Sequence, residues 1–260
     1  MKIITLDECG STNNVLKEML ARPEWLPSGT TVRAIKQTEG RGQRGNSWEA
    51  EPGMNLTFSM VLRPGAMPPD CHFLVSEAIA VALVKFIQML PGMENHEVRI
   101  KWPNDILVDG KKIAGVLIEN SLGGEGALIY SIAGIGLNVN QTLFTSNAPN
   151  AVSLSQLTGE YYDLEFLLPD LTNLILLLVN QLAPELAISQ NNGDKRIHTS
   201  IETVYHNLLW RANGFHEWED ASTHDRFLAE LVSVAPSGQM ILSEADGRLH
   251  RYYFKEVVPV

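Results

Sequence analysis

Cys9 and Cys71 are the only thiols in this chain of 260 residues. Two cysteines cannot make a disulfide framework, and neither has a second Cys or a His at metal-ligand spacing. The seven histidines are scattered, with no His-Glu-x-x-His and no pair at i, i+4, so no protein-ligated metal is expected. Long apolar runs are missing as well. Leu174–Val179 falls far short of the ~20 residues a membrane span needs, and the start, Met1-Lys2-Ile3-Ile4-Thr5-Leu6-Asp7, has too short an apolar run for a secretory signal. A cytoplasmic protein without a membrane partner is expected. Cations are scarce: 20 Lys and Arg against 30 Asp and Glu give a net charge of −10. Binding to nucleic acid by counterion release needs clustered Lys and Arg, so no nucleic-acid partner is expected either.

What positive charge there is gathers at Arg33, Lys36, Arg41 and Arg44, a pattern suited to a small anionic ligand. Gly40-Arg41-Gly42-Gln43-Arg44-Gly45 packs three glycines and two arginines into six residues. Glycine lets backbone approach a ligand closely, and guanidinium forks bind carboxylate or phosphate bidentately. The letters spell G-x-G-x-x-G, but a dinucleotide fingerprint needs a hydrophobic strand before it and a helix opening inside it. Here Lys36-Gln37-Thr38-Glu39 leads in, and Pro52-Gly53 follows. The alternatives are a cationic loop that closes over an anion and a surface loop rich in turn residues.

The order of elements points to an α+β chain. Strands are expected at Ile3–Leu6, Thr30–Ile35, Asn55–Leu62, Val98–Trp102 and Leu128–Asn140. A helix capped by Ser11 or Thr12 carries Val15, Leu16, Met19 and Leu20 at helical spacing. Leu74–Leu90 reads as a buried helix, Leu164–Leu186 as a long one with Pro184 interrupting its end, and Lys195–Trp210 as another; residues 141–162 read as loop. The texture changes near Asn213-Gly214. Beyond it short β runs (Phe227–Ala235, Met240–Ser243, Leu249–Phe254) predict a small antiparallel barrel. A domain of residues 1–212 is therefore expected, followed by one of 213–260.

Asp109-Gly110 between two apolar runs predicts a type I′ hairpin. Lys112 then begins the returning strand, on one face with Ala114 and Val116 by simple alternation. Such a lysine suits the side of a ligand cleft, or is an ordinary hairpin lysine. Asn104 and Asp105, after Pro103, form either a plain turn or a rigid corner offering an amide and a carboxylate. Gly134 and Gly136 leave two bare positions on one strand face, continued by Asn138; they predict a ligand floor, with a bend as the alternative.

Taken in order, the arginine loop, Lys101-Trp102-Pro103-Asn104-Asp105, Gly110-Lys111-Lys112-Ile113-Ala114-Gly115 and Gly134-Ile135-Gly136-Leu137-Asn138, with Ser11-Thr12-Asn13 ahead of them, resemble the biotin protein ligases over almost the whole chain. The resemblance implies a class II synthetase-like α+β fold, a mixed or antiparallel sheet with packed helices, plus a small SH3-like C-terminal barrel. It implies biotin and ATP as substrates, with Mg2+ bound through the nucleotide phosphates, formation of biotinyl-5′-AMP, and transfer to a lysine of a biotin carboxyl carrier domain. By the same resemblance Lys112, Arg41 and Arg44 are catalytic. Ser11, Thr12, Asn13, Gln37, Gly40, Arg41, Gly42, Gln43, Trp48, Lys112, Gly115 and Gly134 would bind biotin. Arg44, Asn104, Asp105, Lys112 and Asn138 would face ATP.

Some members carry arginine where this chain has Gln43 and Asn46, so its loop is less cationic. The pattern begins at Ser11, leaving no room ahead for the helix-turn-helix domain of bifunctional members, and no operator binding or repressor role is expected. The family includes monomers and ligand-linked dimers, so a homodimer is compatible. The rival readings are a lipoate or octanoate ligase or transferase of the same fold, and a non-catalytic biotin or adenylate sensor.

Overall fold

The computed structural model describes residues 2–65, 67–145, 150–191 and 199–260, with the side chains of Arg44 and of 189–191 outside that description. In chain order the elements are β1 (Ile3–Cys9), α1 (Thr12–Leu20), β2 (Thr31–Gln37), β3 (Leu56–Leu62), α2 (Phe73–Gln88), β4 (Val98–Lys101), β5 (Asp105–Val108), β6 (Lys111–Leu122), β7 (Leu128–Leu137), α3 (Leu154–Thr158), α4 (Leu164–Asn191), α5 (Ser200–Leu208), β8 (Phe215–Asp220), β9 (Arg226–Val234), β10 (Met240–Glu244), β11 (Leu249–Tyr252) and β12 (Val257–Pro259). Strands β1 to β7 form one mixed sheet in the order β1-β2-β3-β7-β6-β5-β4. Only its β1–β2 pairing is parallel.

Period-two alternation gives this sheet two different faces. Leu56, Phe58, Met60 and Leu62 of β3 enter the main core with the apolar residues of α2 and α4. Val61, with Val32 and Ile132, meets Leu16 of α1 in a smaller cluster. Helix α4 contains Leu164–Ile188, long and apolar enough by length and composition to cross a membrane. Its Leu171, Ile175, Val179, Leu182 and Leu186 are nonetheless buried in the core of this fold.

The structure departs from the sequence expectations at several points. The hairpin forms as expected, with φ of 49° at Asp109 and 77° at Gly110. Simple alternation fails just beyond it, however. Ile106 pairs with Ala114 while Leu107 pairs with Lys112, so Ile113 is an extra, bulged residue. Ile113, Ala114 and Val116 all go to the core, whereas Lys112 lines a cleft with Gly115. Helix α3 lies inside the stretch expected to be loop. Its capping box, with Ser153 and Gln156 bonded reciprocally, was a readable signal. Helix α4 continues through Pro184 to Asn191, because burial of Leu182 and Leu186 on either side outweighs the missing backbone bond. Residues 195–198 of the helix expected over Lys195–Trp210 lie outside the described residues, and α5 starts at Ser200 with the Thr199 side chain accepting from the Glu202 N–H. Ser11 sits at the N-cap of α1 but makes no capping hydrogen bond there.

The C-terminal residues form a five-stranded antiparallel sheet in the linear order β11-β10-β9-β8-β12, not a demonstrated barrel. Strands β8 and β12 were missed because Glu217, Glu219 and Asp220 in Phe215–Asp220, and the brevity of Val257–Pro259, hide the apolar pattern. This sheet packs against the larger unit: the Trp102 indole donates to the Gly238 carbonyl at 3.2 Å, and the Phe73 N–H donates to the Pro236 carbonyl at 3.2 Å.

One core residue breaks the apolar rule. Glu77 on α2 is fully buried, and neither carboxyl oxygen has a hydrogen-bond partner among the described residues. Burial first, and the Glu202 charge second, push its carboxyl well above the ordinary value of 4.5. The folded state therefore keeps a proton that the unfolded chain loses, and stability falls as pH rises from about 4.5 toward the folded value. Glu77→Leu is expected to raise unfolding free energy by about 1–3 kcal/mol at pH 8, the scale of an unsatisfied buried group, and by less at pH 4. Urea unfolding at the two pH values checks this; a gain no larger at pH 8 than at pH 4 contradicts it.

Candidate active site

The arginine loop closes on itself. Trp48 N–H donates to the Gly40 carbonyl at 2.9 Å, and Gly42 N–H to the Asn46 carbonyl at 2.6 Å, across a tight turn at Gln43–Gly45. Gly40 has no room for a side chain: a Cβ there would lie 2.5 Å from the Trp48 carbonyl oxygen. The closure lays the Trp48 indole over β6 and β7. A Cβ on Gly136 would fall on the indole ring, and one on Gly134 would fall on the Asn13 side-chain oxygen. The two bare positions expected as a ligand floor are thus covered by Trp48 and Asn13, and these side chains in turn line the cleft.

Most of the expected site residues share that one cleft. Ser11, Thr12, Asn13 and Gln37 form one wall, and Arg41, Gly42, Gln43 and Trp48 another. Asn104, Asp105, Lys112, Gly115 and Gly134 complete it. Gly40 supports the loop from outside the lining. The side chain of Arg44 lies outside the described residues. Asn138 is not in the lining: it is buried, and its amide donates to the Val152 carbonyl at 3.1 Å. Val152 N–H in turn donates to the Lys112 carbonyl at 2.9 Å, so Asn138 braces the backbone that presents Lys112. Arg33 and Lys36 are also elsewhere, paired with Glu165 and Glu8.

Hydrogen bonds order the first wall. Gln37 Oε1 accepts the Thr12 N–H at 2.8 Å. Thr12 Oγ1 meets Ser59 Oγ at 2.6 Å, and Ser59 donates to Asn13 Oδ1 at 2.5 Å. Asn13 Nδ2 donates to Glu119 Oε2 at 2.7 Å. Sequence reasoning missed Ser59 and Glu119, each an ordinary strand residue until this neighbourhood forms. It also missed Phe254, which enters the cleft from the C-terminal sheet.

The charged groups are paired and close. Lys112 Nζ lies 2.6 Å from Asp105 Oδ1 and 5.6 Å from the centre of the Trp48 ring. A Cβ on Gly115 would stand 3.3 Å from Lys112 Cε, so the bare glycine gives the lysine its path. Asn104 donates to the Val116 carbonyl at 2.6 Å, which pins the corner after Pro103. Arg41 Nη2 donates to Asn14 Oδ1 at 2.8 Å and lies 3.3 Å from Glu119 Oε2. Two buried polar atoms on the lining, Gln43 Oε1 and Trp48 Nε1, have no protein partner among the described residues. A ligand with polar edges fits such a site.

The closed arginine loop, the lysine beside it and the hydrogen-bonded polar wall bring cationic and neutral polar groups together in one cleft. The model of the Biotin/lipoate A/B protein ligase family matches residues 8–138, just over half of the chain, and the chain belongs to that family. It is 39% identical over 166 residues to the bifunctional ligase/repressor BirA of Bacillus spizizenii, covering 62% of this chain and 48% of that protein. It is 35% identical over 130 residues to the biotin–[acetyl-CoA-carboxylase] ligase of Paracoccus denitrificans, covering 49% and 52%. The chain thus spans about half the length of the curated relatives it matches. In fold it is similar to the biotin protein ligase of Aquifex aeolicus in complex with biotin and ATP, with a TM-score of 0.69 at 22% identity over 100% of this chain and 99% of that one.

Proposed function

We propose that this protein is a biotin–[acetyl-CoA-carboxylase] ligase that uses ATP to activate biotin as its adenylate and passes it to a carrier protein. The observation that carries the reading is a single cleft shared by Lys112, Arg41, Trp48 and the Ser11–Thr12–Gln37 wall. A carboxylate oxygen of biotin attacks the α-phosphorus of ATP, the bond to pyrophosphate breaks, and biotinyl-5′-AMP forms. A lysine amine of a biotin carboxyl carrier domain then attacks the acyl carbon, and AMP leaves. Two anions have to meet, so fixed positive charge must offset their repulsion. Lys112 supplies it beside Asp105 and Asn104, the side assigned to the nucleotide, where Mg2+ would enter on the phosphate oxygens. Ser11, Thr12 and Gln37 present polar atoms to the ring of biotin, and the Trp48 indole covers its tail. The acceptor lysine belongs to the partner, so no Ser-His or Cys-His pair is required.

The test is ATP–pyrophosphate exchange with biotin or lipoate as the acid, followed by the mass shift of a purified carrier domain. Exchange supported by lipoate and not by biotin decides for the rival member of the family. Operator binding is not expected: a net charge of −10 opposes it, and retention of duplex DNA by the protein at low salt would contradict this.

Arg41 is assigned to hold the mixed anhydride while the closed loop keeps water out. Arg41→Ala is expected to release biotinyl-5′-AMP about 10–100-fold faster, the worth of one charge-assisted hydrogen bond. Chase of labelled adenylate from the preformed complex measures this; a release rate equal to wild type removes the assignment.

A further inference from the structure

The hydrogen bonds of the cleft wall pose a proton count that is resolved outside the cleft. Thr12 Oγ1 lies 3.1 Å from Gln37 Oε1 and 2.6 Å from Ser59 Oγ, and Ser59 Oγ lies 2.5 Å from Asn13 Oδ1. Three oxygen–oxygen contacts share two hydroxyl protons, one on Thr12 and one on Ser59. Either relay direction is chemically allowed until something fixes an end.

Glu119 fixes it. Its carboxylate receives Asn13 Nδ2 at 2.7 Å and Lys17 Nζ at 2.6 Å, with Arg41 Nη2 at 3.3 Å. Burial pushes its carboxyl up, but the bonds from Lys17 and Asn13 and the charges of Arg41 and Lys17 bring it below the ordinary carboxylate range. An ionised carboxylate only accepts. Asn13 must therefore turn its nitrogen to Glu119 and its oxygen to Ser59. Ser59 must donate to Asn13, and Thr12 must donate to Ser59. Gln37 Oε1 keeps the Thr12 backbone N–H; the Thr12 hydroxyl proton, within reach of Gln37 Oε1 at 3.1 Å, goes instead to the shorter 2.6 Å contact with Ser59. The Thr12 hydroxyl then offers only lone pairs to the cleft.

We propose that Glu119 is a positioning residue: its fixed negative charge sets the direction of the Thr12–Ser59–Asn13 relay, and so decides which wall atoms donate and which accept toward the urea ring of biotin. The assignment rests on the biotin reading above and adds a residue that touches no ligand in it. In Glu119→Gln the new amide presents a nitrogen as well as an oxygen, so Asn13 is free to turn over and the relay to reverse. Ser59→Ala cuts the same relay in the middle without touching Lys17 or Arg41.

The experiment is calorimetric titration of the full chain with biotin and, separately, with ATP. It covers wild type, Glu119→Gln, Ser59→Ala and the double variant, each checked by thermal melt. Glu119→Gln is expected to weaken biotin about 10-fold and to leave ATP affinity within about twofold of wild type. In the Ser59→Ala background the further loss from Glu119→Gln should be much smaller, because the relay is already broken. If Glu119→Gln does not fold, Ser59→Ala alone serves: it should weaken biotin several-fold with its melt intact, and unchanged affinity overturns the proposal. Additive losses, or biotin bound by Glu119→Gln as tightly as by wild type, also overturn it. Wild-type protein that binds no biotin removes the functional reading along with this assignment.

Discussion

Lys112→Ala should lower the rate of adenylate formation by about 10²–10³-fold, or roughly 2.7–4 kcal/mol, the loss typical of one preorganised group that stabilises developing charge. The geometry makes the expectation specific. Lys112 is anchored on both sides, its N–H donating to the Asn150 carbonyl at 2.6 Å and its carbonyl accepting from Val152 at 2.9 Å. Its ammonium lies 2.6 Å from Asp105 on the cleft lining. Removing it leaves Asp105 as a net negative charge where a carboxylate and a phosphate must approach, which adds repulsion to the lost attraction. Biotin affinity in the absence of ATP should change less than the chemical step does. Single-turnover measurement of adenylate formation under saturating substrates tests this, and turnover equal to wild type refutes the role given to Lys112. Arginine at 112 should restore only part of the rate, because a planar fork does not fill the path that Gly115 leaves for a linear ammonium.

Gly136→Val should be the most damaging substitution in the cleft for folding as well as for binding. The new Cβ would fall on the Trp48 indole, and β7 cannot move away because Gly136 is paired on both sides, with Thr57 and with Gly115. Trp48 has to swing out, which opens the loop that Trp48 N–H and the Gly40 carbonyl hold closed. Overpacking of this kind costs about 1–3 kcal/mol and occasionally more, and biotin affinity should fall with it. Gly124→Ala is the matched control. A Cβ there meets nothing within 4 Å, so its effect should stay within about 0.5 kcal/mol. Urea unfolding of both variants, with Trp fluorescence as the probe, separates them; equal stabilities would mean the loop yields more easily than its packing implies.

Much of this was legible in the residues because it depends on neighbours in the chain. The Asp109-Gly110 hairpin is local backbone chemistry, and it forms as the sequence requires. The arginine loop declares its closeness to something through Gly40, Gly42 and Gly45. Lys112 stands out through the hairpin spacing, Ser11-Thr12-Asn13 and Gln37 through likeness to a family, and they do converge on one cleft. The failures share a different character. Alternation assigned Lys112 to the face of Ala114, yet a bulge at Ile113 reversed the phase. A bulge depends on how β5 and β6 accommodate each other, which no period-two pattern carries. Asn138 looked like a continuation of the glycine face, yet strand pairing ends at Leu137 and the next side chain turns to Val152.

Composition and local pattern by themselves determined an acidic α+β chain, its hairpin and its glycine-bearing loop, and singled out Arg41, Lys112 and the Gly134–Gly136 face; the rest of the cleft set came from likeness to a family. Which of those residues touch, and in what protonation pattern, was decided only by the tertiary structure. Asn13 and Glu119 are 106 positions apart, and Phe254 reaches the cleft from the far end of the chain. The physical reason is that hydrogen bonds and charges act over a few ångströms of space, whereas the sequence records only order along the chain. Their partners exist once burial of the core has fixed the strands side by side.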